Sequence, residues 1–135
     1  MPYDRIGVIG AMDSELAALI AALTQPAQET VQGLVFRTGR LGAREVVLVR
    51  CGIGKVSAAR CTQVLIDRFA PGAVINTGIA GGLASGLAVG DIVVADGLVQ
   101  HDFDAAPIGF VRGCVCMGAP GAPTVFAPTE RTANV

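Results

Sequence analysis

The apolar and polar positions of this chain alternate between two periods. Arg5 to Gly10 (Arg-Ile-Gly-Val-Ile-Gly) is a short β-branched run ending in glycine, the pattern of a buried strand. Leu16, Leu19, Ile20 and Leu23 then recur at i, i+3, i+4 and i+7, one stripe of a helix that Asp13 and Ser14 can cap with side-chain oxygens. Thr24 to Glu29, with Pro26, is expected to end that helix. Val31, Gly33 to Leu41 and Arg44 to Cys51 read as strands joined by tight turns at Gln32-Gly33 and Gly42-Ala43, an antiparallel meander. Lys55 to Phe69 returns to helical spacing, with Val56, Ala59, Val64 and Phe69 among its apolar positions, and Pro71-Gly72 stops it. Ala73 to Thr77 is the next strand, Gly78 to Gly90 is glycine-rich, and Asp91 to Ala95 reads as a further strand. Helices between strands imply an α/β layered fold around a parallel or mixed sheet. Gln100 to Pro128 lacks periodicity and reads as a long irregular connection, after which Pro128-Thr129-Glu130 has the form of a helix start.

Composition narrows the class. The chain has 135 residues and a mass of 13.7 kDa, one domain by length. Apolar residues make up 52%, charged residues 16%, and mean hydropathy is +0.59, which excludes an intrinsically disordered segment. So apolar a composition with so few charges implies surface that meets another chain or a further part of its own. Ten Lys and Arg against eleven Asp and Glu give a net charge of −1, with no basic run and no Trp, so nothing in the charge pattern suits a nucleic-acid backbone. The apolar stretches fall short of the roughly 20 residues that span a membrane. The start, Met1-Pro2-Tyr3-Asp4-Arg5, leads into a run with no small-residue cleavage pattern, so no signal peptide is expected and the expected location is cytoplasmic. Cys51, Cys61, Cys114 and Cys116 match neither paired zinc knuckles nor a secreted disulfide framework, and are expected as reduced thiols.

Several segments carry candidate chemistry. Gly7 to Gly10 and Gly52-Ile53-Gly54-Lys55 lie where glycine-rich turns present backbone N–H groups to phosphate. Neither fits: a Walker loop needs glycine and a hydroxyl residue where this chain has Val49 and Val56, and Gly7-Val8-Ile9-Gly10 lacks the second glycine of a dinucleotide fingerprint. These glycines are expected to serve tight strand-to-helix turns. Glu15 falls in the first turn of the first helix, past the carboxyl end of the first strand, where open α/β sheets bind ligands. It could be catalytic, or it could simply complement the helix dipole. His101, in His101-Asp102-Phe103-Asp104, is the single histidine and is expected to have a hydrogen-bonding role. Cys114-Val115-Cys116 offers two thiols, which do not complete a tetrahedral metal site, so no metal is expected.

Five blocks, in order, carry a more specific signal: Ile9 to Glu15 (Ile-Gly-Ala-Met-Asp-Ser-Glu), Cys51 to Val56 (Cys-Gly-Ile-Gly-Lys-Val), Asn76 to Leu83 (Asn-Thr-Gly-Ile-Ala-Gly-Gly-Leu), Val89 to Val94 (Val-Gly-Asp-Ile-Val-Val) and His101 to Asp104. Together they resemble the 5′-methylthioadenosine/S-adenosylhomocysteine nucleosidases of the purine nucleoside phosphorylase superfamily. The resemblance runs from Ile6 and fades after Gly113. It implies a three-layer α/β/α sandwich with a mixed central sheet, a homodimer, and hydrolysis of the N-glycosidic bond of methylthioadenosine and S-adenosylhomocysteine in methionine salvage, with no metal and no cofactor. It also implies that residues 1–135 are the amino-terminal part of a single nucleosidase domain.

By the same resemblance Glu15 is the catalytic residue, positioning or deprotonating the attacking water. The implied substrate-binding positions are Ala11, Met12, Ile53, Gly78, Ile79, Ala80, Gly81 and Ile108. Met12 and Ile53 would line the ribose and alkylthio pocket, and Ile79, Ala80 and Gly81 would lie beneath sugar and base. Ile108 would close the 5′-alkylthio pocket of the neighbouring subunit. Ile79 replaces a serine found in many members, which removes a hydroxyl near the nucleophile. The family also implies two acidic residues, one binding the ribose hydroxyls and one protonating adenine, that would follow residue 135. Two other readings stand beside this one. A purine nucleoside phosphorylase would need cations for phosphate, and the Arg-x-Gly-Ser expected at the glycine-rich strand end is Asn76-Thr77-Gly78-Ile79 here. A non-catalytic remnant is the other.

Overall fold

The computed structural model describes residues 3–95, 97–98 and 100–109, and the chain divides at Gly81/Gly82 into two compact units. In the first unit the elements are β1 (Arg5–Gly10), α1 (Asp13–Ala21), β2 (Thr24–Val31), β3 (Leu34–Leu41), β4 (Arg44–Arg50), α2 (Lys55–Phe69) and β5 (Ala73–Asn76). They form one five-stranded sheet of order β2-β3-β4-β1-β5. β2, β3 and β4 are the expected antiparallel meander, while β1 pairs in parallel with both β4 and β5, so the sheet is mixed.

The sheet is covered on both faces because its strands alternate. Val8 of β1 and Val46 and Leu48 of β4 point to one side, where Leu16 of α1 is fully buried against them. Ile9, Val47, Val49 and Phe36 point to the other, where Cys61, Val64, Leu65 and Phe69 of α2 close the core and the rings of Phe36 and Phe69 lie 4.8 Å apart. This is the α/β/α sandwich with a mixed central sheet that the blocks implied. Glycine in β1 has a packing role distinct from the turn role expected of it. A Cβ on Gly7, in mid-strand, would lie 2.6 Å from Leu65 Cδ2, and one on Gly10 would lie 2.9 Å from Leu16 Cγ. The missing side chains let α2 and α1 seat directly on the strand.

Three expectations change. The segment containing Pro26 ends α1 but is itself the start of β2, an edge strand whose pairing with β3 skips from Thr24 to Ala27. A proline lacking N–H is tolerated at such an irregularity on a sheet edge. The cap of α1 is Met12, not Asp13 or Ser14, and both of those residues lie inside the helix. In the second unit, Asp91 to Ala95 forms no strand among the described residues, and Ile92, Val93 and Val94 are exposed. Described by itself, that unit holds a bond from the Ala88 amide to Asp91 and one 3₁₀ turn, Ala106–Ile108, within the irregular connection. The helix start at Pro128 and the pair Cys114 and Cys116 fall outside the described residues.

Candidate functional site

Because β1, β4 and β5 are parallel neighbours, their carboxyl ends lie together. The ladder continues a step beyond them: the Cys51 amide donates to the Gly10 carbonyl at 2.8 Å and the Thr77 amide to the Ile9 carbonyl at 3.0 Å. Three turns are thereby set side by side: Ala11-Met12 leading into α1, Gly52-Ile53-Gly54 leading into α2, and Thr77 to Gly81 after β5. Gly52 and Gly54 have φ of 83° and 98°, which accounts for the two glycines of the second turn.

Glu15 connects the first and third turns. Its Oε2 accepts the Met12 amide at 2.9 Å, reaching back as the third helical residue does in a capping box. Its Oε1 accepts the Ile79 amide at 3.1 Å across the gap to β5. The first bond serves the helix and the second has no helical purpose, so the dipole-complementing role and a site role coexist in one side chain. The Met12 amide foremost, then those of Ile79 and Ala11, hold the Glu15 carboxyl below its ordinary value against a smaller opposing effect of desolvation. It is therefore a carboxylate at neutral pH, and each oxygen keeps a lone pair for a further donor.

Cys51, buried beside the first turn, was not singled out as a site residue. Its thiol lies 3.3 Å from the Gly10 carbonyl and 3.2 Å from its neighbour Gly52's. Burial pushes this thiol up, and the negative charge on Glu15 adds to the effect. It is a neutral wall of the site, placed by the same Cys-Gly-Ile-Gly block that carried the resemblance. On the rim, Arg50 Nε and Asp13 Oδ1 are 3.5 Å apart, joining the end of β4 to the start of α1.

Of the expected positions, Ala11, Met12, Ile53, Gly78, Ile79, Ala80 and Gly81 lie in these turns, and Glu15 lies in the first turn of α1 beside them. Met12, Ile53 and Ile79 are 38%, 78% and 80% exposed, an apolar rim around an ionised carboxylate. Ile79 reaches Glu15 by its backbone, so the loss of a serine hydroxyl leaves that bond intact. Ile108 belongs to the second unit, at the end of its 3₁₀ turn, and is exposed. His101 also lies there, in a turn. Among the described residues no three His, Cys, Asp or Glu side chains gather as metal ligands, and no helix is long and apolar enough to cross a membrane.

Known proteins share this arrangement of strands and helices. A solved S-adenosylhomocysteine nucleosidase from Streptococcus pyogenes, in complex with 5-methylthiotubericidin, superposes with a TM-score of 0.86 at 42% identity, over 94% of this chain and 52% of its own. A 5′-methylthioadenosine/S-adenosylhomocysteine nucleosidase from Colwellia psychrerythraea, in complex with adenine, gives 0.86 at 41% identity over 95% and 51%. Among curated sequences, the nucleosidase of that name from Shewanella pealeana is 42% identical over 127 residues, 94% of this chain and 54% of the relative. The chain thus spans about half the length of the curated relatives it matches. The sequence profile of the phosphorylase superfamily matches residues 5–133, taking in the whole sheet, both helices and all three turns around Glu15, and the chain belongs to that superfamily.

Proposed function

We propose that this chain is the amino-terminal portion of a cytoplasmic, homodimeric nucleosidase that hydrolyses the N-glycosidic bond of 5′-methylthioadenosine and S-adenosylhomocysteine and releases adenine, a step of methionine salvage. The observation that carries the reading is Glu15: an ionised carboxylate held by two backbone amides at the carboxyl end of the parallel strands, inside the blocks shared with nucleosidases. The names and bound ligands of the similar structures support the substrate class.

Hydrolysis breaks the bond between ribose C1′ and adenine N9, the electron pair leaving with the base, while water supplies the new C1′ oxygen. The sugar passes through an oxocarbenium-like state. A carboxylate beside it has two uses: it attracts the positive sugar and accepts a hydrogen bond from the water, aiming its oxygen at C1′. A carboxyl held below its ordinary value is a weak base for free water. Glu15 therefore aligns the water early and takes its proton only as the new C–O bond makes that proton acidic. Met12 and Ile53 would line the ribose and alkylthio group, and Ala11, Gly78, Ile79, Ala80 and Gly81 would border sugar and base. Ile108 would close the partner subunit's pocket. No cofactor or metal enters this chemistry. Phosphorolysis is disfavoured by Asn76-Thr77-Gly78-Ile79, which offers phosphate neither an arginine nor a hydroxyl at the fourth position.

The test is steady-state adenine release from methylthioadenosine by the protein at the length of its relatives, with and without Glu15→Gln. The substitution is expected to lower kcat by on the order of 10² or more with KM little changed. A kcat within threefold of the parent overturns the assignment. Residues 1–135 alone are expected to release no adenine above background, since the acid that would protonate the base lies outside them.

A further inference from the structure

Gly78 stands beside the Glu15 carboxylate, and its φ lies outside the left-handed region that favours glycine. The reason for glycine is proximity. A Cβ built there would lie 2.9 Å from Glu15 Oε1, 3.3 Å from Cδ and 3.6 Å from Oε2, and nothing nearer than these carboxylate atoms surrounds it. The first of these distances is inside van der Waals contact, and Oε1 is the oxygen that accepts the Ile79 amide one residue further on.

We propose that Gly78 is a positioning residue: the space left by its missing side chain is where the Glu15 carboxylate rests, and a methyl group there would push that carboxylate off the Ile79 amide. The chain has two ways to hold Glu15 in place, and they fail differently. The Met12 amide lies within the same helical turn, three residues from Glu15. The Ile79 amide lies in the turn after β5, outside the helix that carries Glu15. A Cβ at Gly78 would crowd Oε1, the oxygen on the Ile79 amide, and would meet Oε2, the oxygen on the Met12 amide, only at ordinary contact distance. Since the crowded atoms are the far end of a flexible side chain, the carboxylate yields before the backbone does. Gly78→Ala should leave the fold intact and misplace one group. Gly10 assists from the other side, because its missing Cβ lets Leu16 seat α1 close to β1 and so sets how far Glu15 must reach. The consequence for the reaction rests on the proposed role of Glu15, whereas the placement itself does not.

Two measurements keep these apart. The chain contains four glutamates, Glu15, Glu29, Glu45 and Glu130, so carboxyl carbons labelled with ¹³C can be titrated by NMR and the Glu15 resonance identified by its loss in Glu15→Gln. In Gly78→Ala the Glu15 midpoint is expected to rise toward that of an ordinary glutamate, with a thermal midpoint within a few degrees of the parent. A Glu15 midpoint that does not move overturns the proposal. If Gly78→Ala does not fold, the double variant Glu15→Asp with Gly78→Ala decides: the shorter acid withdraws from the added methyl, so recovered folding supports the proposal and continued failure overturns it. The kinetic arm uses adenine release at the relatives' length. Gly78→Ala should lower kcat by about 10- to 100-fold with KM little changed, and should cost almost nothing further in a Glu15→Gln background. Losses that multiply in the double variant overturn the proposal. Should Glu15→Gln alone leave adenine release unchanged, the proposed function fails while the titration still decides the role of Gly78.

Discussion

Ion pairs between exposed side chains gather at the amino end of the parallel strands, whereas the carboxyl end adds a carboxylate held by main-chain amides. At the amino end, Glu45 faces Arg5 at 3.1 Å and Arg40 at 3.9 Å, and Glu29 faces Arg68 at 2.7 Å. These pairs line a concavity of about 440 Å³, and all their side chains are 40% exposed or more. At the carboxyl end a single carboxylate is gripped by backbone amides from two elements. Side chains that find each other in water can trade partners at little cost, and such pairs contribute little. Main-chain amides in two turns at the end of the sheet favour one position of the group they hold. A voluminous recess therefore need not mark the proposed site, which is distinguished by the manner in which its charge is held.

Substitutions can sharpen this contrast. The largest effect is expected from Glu15→Gln, a loss in kcat of on the order of 10² or more in steady-state adenine release with folding preserved. Gly7→Ala, away from the site, should do the reverse. Its methyl would meet Leu65 in the core, so chemical denaturation should show about 1–3 kcal/mol of destabilisation with no specific effect on the bound carboxylate. Breaking the amino end by Glu29→Gln should cost less than about 1 kcal/mol by the same measurement, and the difference from the parent should shrink in high salt.

The acid limb of stability offers a finer test. The folded carboxyl of Glu15 lies below its unfolded value, so the stabilisation is fully present above the ordinary glutamate range and fades as pH falls through the lower folded value. Thermal midpoints of parent and Glu15→Gln should therefore converge on acidification and diverge toward neutrality. The smallest effect concerns Cys61, whose thiol burial pushes up to about 11, with Cys51 adding to it. Maleimide labelling read by mass spectrometry at pH 8 should leave Cys61 unmodified until the chain is unfolded.

Much of the first unit was legible because its signals are local. The stripe of Leu16, Leu19 and Ile20, the punctuation of α2 by Pro71-Gly72 and the turn at Gln32-Gly33, both residues of which have positive φ, each depend on residues a few positions apart. The errors arose where a distant partner decides. Pro26 reads as a breaker until β3 supplies an edge that tolerates it, and Asp91 to Ala95 has the composition of a strand but no neighbour to pair with among the described residues. The site divides in the same way. Glu15 could be found from its place after β1, and its block matched a family, yet the partners that hold it are main-chain amides, which no residue type advertises. The closeness of Gly78 to Glu15 could not be read either, because the two are sixty-three positions apart in the chain.

The bond from Ile79 to Glu15 also makes the turn after β5 a reporter. An amide on an exposed turn normally trades its hydrogen with solvent almost as fast as an unfolded chain does. While Glu15 is ionised, the Ile79 N–H is occupied and its deuterium uptake should lag behind that of Ala80 next to it. Protonating the acid, or replacing it with alanine, should erase the lag. A single backbone position thus records, without any substrate, whether the carboxylate is seated.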